Sequence, residues 1–162
     1  MVWGKSGTPL TLSGAADDLD IIDLAGKKFN MIISHVIDNS NQSVNRTFNN
    51  DSGSVYAFRR SQNGLGEVIP VSQSLMSFSV FAGYGDLFFI TYACWISGEE
   101  KLGITHLVQN QAAGASGEPS RGEFVSKYVP TSLTDTLDRI DFNNPDAGSY
   151  DTNSNISALG TD

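Results

Sequence analysis

Alternation of apolar and polar residues over short runs predicts β-strands along most of the chain, and the most apolar run is residues 87–97. This run is rich in aromatic and β-branched side chains, and glycines bound it at 83, 85 and 98. Its alternate positions form two faces, and neither face is strongly polar. The pattern predicts a central strand covered on both sides. One face would line a core, and the other would meet the flank of a second sheet or a neighbouring subunit.

Further alternating runs recur at short intervals, separated by Asn, Asp, Gly and Ser residues that favour turns. Strands are predicted at 27–38, 44–48, 54–61, 75–81, 102–108, 121–129, 133–142 and 156–160. Residues 17–24 fit a helical turn or a short strand, and the strand is favoured. Residues 68–71 are interrupted by Pro70 and fit a sheet edge or an irregular segment, and residues 109–120 are predicted as a surface loop.

No segment shows sustained helical periodicity. The predicted fold class is therefore all-β: an antiparallel β-sandwich, jelly-roll-like, with about nine or ten strands and no major helix. Residues 1–14 are predicted to be an extended N-terminal arm that leads into a first strand at the alternation of residues 10–12, and residues 15–162 a single β-sandwich domain.

The arm combines a Gly-, Ser-, Thr- and Pro-rich composition with a few apolar side chains. A tryptophan exposed near a terminus is unexpected in a monomer, because a short strand alone cannot bury it. Packing against the body of the protein or against a neighbouring subunit would bury it. The candidate interface residues of this segment are Val2, Trp3, Leu10 and Leu12.

Arg59 and Arg60 are adjacent in a predicted strand, so their side chains point to opposite faces of the sheet. The inward arginine needs a carboxylate partner, which a subunit interface would supply. This structural role is favoured over anion binding, and both arginines are candidate interface residues.

The chain has 162 residues and a net charge of −8, and only 17% of its residues are charged. This acidic balance disfavours binding to nucleic acid and to anionic membranes. The N-terminus has no apolar segment typical of a signal peptide, so we expect a chain made without a cleaved secretion signal. The single cysteine, Cys94, excludes an intramolecular disulfide, and its strand position predicts a small buried hydrophobe rather than a reactive thiol.

Candidates for catalysis or metal binding are few. His35 and His106 are the only histidines, lie on predicted strands, and have no spacing typical of a zinc site. The acidic run Asp17–Asp23 has oxygen ligands that suit calcium but lacks the glycine and terminal glutamate of an EF-hand, so a solvated strand edge is favoured. A glycoside hydrolase would need two carboxylates facing each other across a cleft, and no such pair is evident. We predict no enzymatic activity and no cofactor.

Tyrosines near Asn- and Asp-rich loops are candidates for stacking on sugar rings, as in β-sandwich lectins. Tyr84 and Tyr150 are the candidates for such ligand binding, together with the loop at 109–120.

Three stretches resemble small β-sandwich proteins encoded by tailed, especially marine, bacteriophages. Residues 27–35 resemble the first long strand of these proteins, residues 89–102 their central hairpin, and residues 137–160 their closing hairpin. The resemblance runs from about residue 20 to the end of the chain, and it consists of strand and turn patterns without a catalytic signature.

This resemblance implies a virion structural protein, with a capsid decoration or cement protein as the first expectation. Such proteins are usually homotrimers or otherwise multivalent. The implied partners are other copies of the chain and the major capsid protein or other virion proteins, and the implied location is the virion, assembled in the host cytoplasm. The alternative is a carbohydrate- or receptor-binding module of a tail or head fibre. In the first case the segment carrying Trp3 would act as a tether between subunits.

Overall fold

Two antiparallel β-sheets make up the described part of the chain. The computed structural model describes residues 2–37, 43–78, 85–110, 114–115, 117–146 and 150–162. Within these ranges it has eleven strands and no helix, so none of the described residues forms a helix that could cross a membrane. The predicted all-β antiparallel sandwich is confirmed, with slightly more strands than expected.

The strands divide unequally between the sheets. The seven-stranded sheet contains, in spatial order, β1 (Gly4–Thr11), β11 (Asn155–Thr161), β3 (Phe29–Val36), β7 (Leu87–Cys94), β8 (Lys101–Gln109), β9 (Ser120–Tyr128) and β5 (Tyr56–Gln62). The four-stranded sheet contains β2 (Asp18–Ile21), β10 (Ile140–Asn143), β4 (Asn45–Phe48) and β6 (Met76–Ser77). From β1 to β7, successive strands alternate between the two sheets.

The core lies between the sheets and is filled by the inward half of each alternating strand. Strand β7 is the middle strand of the larger sheet, as predicted, and its Phe89 is 1% exposed. The Phe89 ring centroid lies 5.4 Å from that of Phe78 and 5.7 Å from that of Phe142 on the opposite sheet. These aromatic contacts hold the two sheets in register at the centre of the sandwich.

A second aromatic cluster closes one end of the core. The ring centroids of Phe48 and Trp95 are 5.2 Å apart, and those of Tyr56 and Tyr128 are 5.0 Å apart and stacked. The polar atoms of these rings have partners, since the Tyr128 hydroxyl donates to the Asp51 carboxylate at 2.9 Å. Burial raises the pKa of the Tyr128 hydroxyl above its ordinary value, so it stays protonated and remains a donor.

Two segments differ from the sequence-based expectation. The predicted arm at 1–14 contains β1, which pairs with β11 and forms one edge of the larger sheet. Backbone hydrogen bonds thus order this segment although few of its side chains are large and buried. In the predicted strand at 133–142, only β10 is a strand, because residues 133–139 turn to place Leu137 in the core. Part of the predicted strand at 75–81 lies outside the described residues.

Both edges of the larger sheet are protected against pairing with another strand. On the β5 edge, Val68 exchanges backbone hydrogen bonds with Arg60, and Gln73 does so with Tyr56. This confirms the expectation that residues 68–71 lie at a sheet edge. On the β1 edge, the register shifts between Ser6 and Leu10, a segment that includes Pro9. A bulge and a proline both interrupt an edge that would otherwise template a further strand.

A charged side chain, Arg46, lies at the centre of the sandwich and is 1% exposed. Its guanidinium donates to the Thr91 hydroxyl at 2.6 Å and to the Thr105 hydroxyl at 3.2 Å. Its Cζ also lies 5.1 Å and 4.8 Å from the ring centroids of Phe48 and Phe78, which is cation–π geometry. Among the described residues it forms no ion pair, and burial lowers its pKa to about 9.

We expect Arg46→Met to leave the free energy of unfolding within about 1 kcal/mol of wild type, because an apolar side chain of similar volume avoids the desolvation of a charge. The two threonine hydroxyls, 2.8 Å apart, retain each other as partners. Arg46→Ala should lose about 3–5 kcal/mol through the cavity it leaves. Urea denaturation measures both variants. A loss in Arg46→Met as large as in Arg46→Ala would show that the charge itself stabilises the fold.

Candidate interaction surface

The outer faces of the two sheets have opposite character. On the four-stranded sheet, the outward side chains are polar and belong to Asp18, Asp20, Asn45, Thr47, Ser77, Asp141 and Asn143. This is the usual solvent-facing half of a sandwich strand. On the seven-stranded sheet, the corresponding side chains of the central strands β3, β7 and β8 are apolar apart from His35 and His106.

The register of the central strands joins these apolar side chains into one surface. In one row, Met31 of β3 lies opposite Tyr92 of β7, which lies opposite Ile104 of β8, which lies opposite Val125 of β9. In the three neighbouring rows the side chains on β3, β7 and β8 are apolar except for His35 and His106, and each row ends on β9 at a charged residue. We call the resulting surface the apolar face, and its members are Phe29, Met31, Ile33, Phe88, Ile90, Tyr92, Cys94, Leu102, Ile104, Val108, Val125 and Leu159.

The apolar face is accessible to solvent. Six of its members, on strands β7, β8 and β9, are between 41% and 55% exposed, and the other six are half-buried. The six exposed members are Phe88, Tyr92, Leu102, Ile104, Val108 and Val125. Monomeric proteins rarely expose a contiguous apolar patch larger than a few hundred Å², and larger patches mark sites of interaction. The face is therefore the candidate functional site.

An open groove of about 640 Å³ lies at the end of the apolar face nearest the N-terminus. Trp3, which is 42% exposed, forms one side of it, and Tyr92, Cys94, Leu102 and Ile104 line the rest together with neighbouring side chains. Nearly all of the lining is apolar. The groove can accept an apolar side chain, but it offers few hydrogen-bonding groups to a polar ligand.

Charged residues lie along the flank of the apolar face at β9 and β5, and most of them have partners. Arg59 forms an ion pair with Glu67 at 2.7 Å, and Lys127 forms one with Glu100 at 3.0 Å. Arg121 and Glu123 are exposed on the same side of β9. These six charges sum to zero, although the chain as a whole carries −8.

The predicted interface residues lie in different environments. Val2 is exposed, and Leu10 is exposed on the β1 edge. Trp3 borders the groove, so it lies beside the apolar face. Leu12 is buried and belongs to the core, which leaves it unable to contact another chain. Arg59 is on the outer side of the larger sheet, in its ion pair with Glu67.

Arg60 points inward, as the alternation of the strand requires, but its partner differs from the carboxylate that was expected. Its Nη1 donates to the backbone carbonyl of Ser77 at 3.2 Å, and burial lowers its pKa. A carbonyl of the opposite sheet therefore satisfies part of the guanidinium.

Only one of the two predicted ligand-binding tyrosines belongs to the described residues. Tyr84 lies outside the described residues. Tyr150 is fully buried, and its hydroxyl donates to the Ser43 carbonyl at 3.4 Å, so no face of its ring is available to stack on a sugar. Burial also raises the pKa of Tyr150. The tyrosine that is exposed on a strand is Tyr92, which the sequence pattern did not single out.

Among the described residues, no three or more His, Cys, Asp or Glu side chains converge in a way that could hold a metal ion. His35 lies 3.8 Å from Asp86 at one end of the outer face, and His106 lies opposite Glu123 on the neighbouring strand. Cys94 is half-buried on the apolar face, beside the groove, rather than in the core. The expectation of a buried cysteine is met only in part, because residue 94 occupies the outward half of the alternation.

The acidic run at 17–23 contributes to a carboxylate pair. Asp20 of β2 lies opposite Asp141 of β10, and Arg139 donates to both carboxylates, at 2.7 Å to Asp20. Burial and, to a smaller extent, the charge of Asp141 raise the pKa of Asp20 to about 6, although the charge of Arg139 offsets part of this rise. The Arg139 guanidinium thus lies between the two carboxylates, where a bound metal cation would otherwise have to lie.

No protein-family model and no curated protein matches this chain.

The Asp20 carboxyl predicts a pH dependence of stability. Because its pKa is raised in the folded state, the folded protein takes up a proton as pH falls through about 6, and the unfolded chain does so only near the ordinary carboxyl pKa of 3.8. The ionised carboxylate therefore lowers stability at neutral pH, and protonation removes this penalty. As the pH is lowered from about 7.5 to about 4.5, the free energy of unfolding of the wild type should rise by about 1–2 kcal/mol relative to that of Asp20→Asn, after allowance for solvent screening.

Urea denaturation of both proteins across this range tests the prediction. Asp18→Asn removes the same charge from the exposed end of β2 and controls for the overall negative charge of the chain. A difference between wild type and Asp20→Asn that stays constant with pH would contradict the prediction.

Proposed function

We propose that this chain is a non-enzymatic structural protein of a virion surface, a capsid decoration or cement protein that stabilises the capsid. The observation that supports the proposal is the apolar face. A surface of this size and character has the properties of an interface between protein subunits, which other chains cover in the working assembly.

The chemistry of the described residues is consistent with a role in assembly. The polar groups at the centre of the sandwich serve packing, since Arg46 and its two threonines bond to each other. The acidic pair on the smaller sheet is neutralised in part by Arg139. The molecule presents a polar sheet on one side and the apolar face on the other. A subunit with an inner and an outer side needs such a difference.

The proposed partners are other copies of this chain and the major capsid protein or other virion proteins, and the proposed location is the virion. The resemblance to phage β-sandwich proteins implies a homotrimer. Exposed Val2 and Trp3 extend the apolar face towards the N-terminus and enlarge the area available to a neighbour. Each such contact contributes little binding free energy by itself. The many copies on a symmetric particle raise the effective concentration of the contacts and so strengthen the overall attachment.

No observation favours the alternative function, a carbohydrate- or receptor-binding module. Sugar recognition combines a stacking ring with hydrogen-bonding groups placed beside it. The exposed rings of Trp3 and Tyr92 border a groove with almost entirely apolar walls, and Tyr150 is buried. This surface suits another protein better than a sugar.

The proposal is tested on particles purified by density gradient from the cells that express this gene. Mass spectrometry should find the chain in a fixed ratio to the major coat protein. Particles made without the chain should release their nucleic acid at a lower temperature, and added purified chain should restore the original temperature. The absence of the chain from purified particles would overturn the proposal.

A charge at the centre of the apolar face should prevent this restoration, since a carboxylate buried there without a partner is strongly disfavoured. We expect Ile104→Glu to fold normally, because residue 104 is exposed, and to lose binding to particles. The matched control is Ile22→Glu, which places the same charge at an exposed isoleucine next to β2 of the smaller sheet. Equal binding by both variants would show that the apolar face is not the contact surface.

A further inference from the structure

The extent of the apolar face matches what one partner contributes to a stable protein interface. A large aromatic side chain buries about 150–250 Å². Six large side chains at about half exposure, six half-buried ones and Trp3 therefore present an apolar area on the order of 800 Å². Interfaces of standard size bury about 800 Å² on each partner.

The shape of the face also restricts its occupant. Four rows of side chains extend across β3, β7 and β8, so the surface is broad and pleated rather than a narrow channel. Another β-sheet fits such a surface, because sheets pack face to face at about 10 Å with their strands aligned to within about 30°. An added strand does not, since both edges of the sheet are protected by a bulge and by the segment that contains Val68 and Gln73.

The charge distribution favours a second copy of the same chain. With a net charge of −8, two copies repel each other over most of their surfaces. The outer side of the smaller sheet carries Asp18, Asp20 and Asp141, whereas the flank of the apolar face carries three cations and three carboxylates. The apolar face is thus a surface on which two acidic copies can approach each other without net repulsion.

From area, shape and charge together, we propose that the apolar face binds the apolar face of a second copy of this chain, sheet against sheet about a twofold axis. A twofold axis makes one patch serve both partners, so the pairing needs no surface beyond the one described. The inference rests on the proposed function in that it names one partner of the proposed virion subunit, and it differs from the homotrimer that the resemblance implies.

The chain contains its own reporter for this contact. Cys94 is the only cysteine and is half-buried on the apolar face beside the Trp3 groove. A second copy seated on the face would cover its thiol. Alkylation by a maleimide reagent therefore measures coverage of the face in the unmodified protein.

Two measurements test the pairing. Light scattering at micromolar concentration should give twice the 17.4 kDa mass of one chain for the wild type and for Ile22→Glu, and the mass of one chain for Ile104→Glu. Cys94 should react about tenfold more slowly in the wild type than in Ile104→Glu, because alkylation then requires the dimer to open. Circular dichroism establishes that both variants are folded.

A wild type with the mass of one chain, or of three chains, would overturn the twofold pairing, and so would equal alkylation rates in the wild type and Ile104→Glu. These outcomes are distinct from the failure of the proposed function, which is the absence of the chain from purified particles. A monomer that binds particles through the apolar face would assign the face to another virion protein.

Discussion

The hydrogen bonds of Arg46 to Thr91 and Thr105 are the buried polar contact that joins the two sheets at the centre of the core. In most sandwiches the contrast between an apolar and a polar face sets strand register, because a slip by one residue exchanges the faces. That contrast is weak in β7, since both of its faces are apolar. A slip would instead remove the threonine hydroxyls from a buried guanidinium, and an unsatisfied buried charge is costly. A polar contact in the core therefore disfavours the slipped registers that apolar alternation alone would allow.

This register also determines which side chains of the larger sheet point outward. With Thr91 inward, the alternate side chains of β7 point outward, and pairing with β3, β8 and β9 extends them into one apolar surface. The polar outer side of the four-stranded sheet shows that the asymmetry belongs to one sheet only. Coverage of this surface by other chains, as proposed above, would bind only the folded state and so would add to its stability.

Much of the fold could be predicted from local patterns. The hairpin of β7 and β8 and strands β3, β4, β5, β9 and β11 lie where alternation and turn residues place them. The errors fall where local pattern is not decisive. Strand β1 is held by its backbone pairing with β11 at the far end of the chain, and its Gly- and Pro-containing sequence looks like an arm. Tyr150 resembles the exposed tyrosine of a binding loop, but its bridge to Ala16 places the ring in the core.

The sequence by itself determined the strand composition and the existence of two apolar sides on the central strand, because both follow from the spacing of side chains along one strand. Only the tertiary structure decided that the second apolar side faces solvent and not a second sheet, since this depends on which strands pair. The sandwich has two layers, and the smaller sheet covers only the inner side of the larger one. The apolar face is what remains, and its size reflects the alignment of residues as distant in sequence as Met31 and Val125.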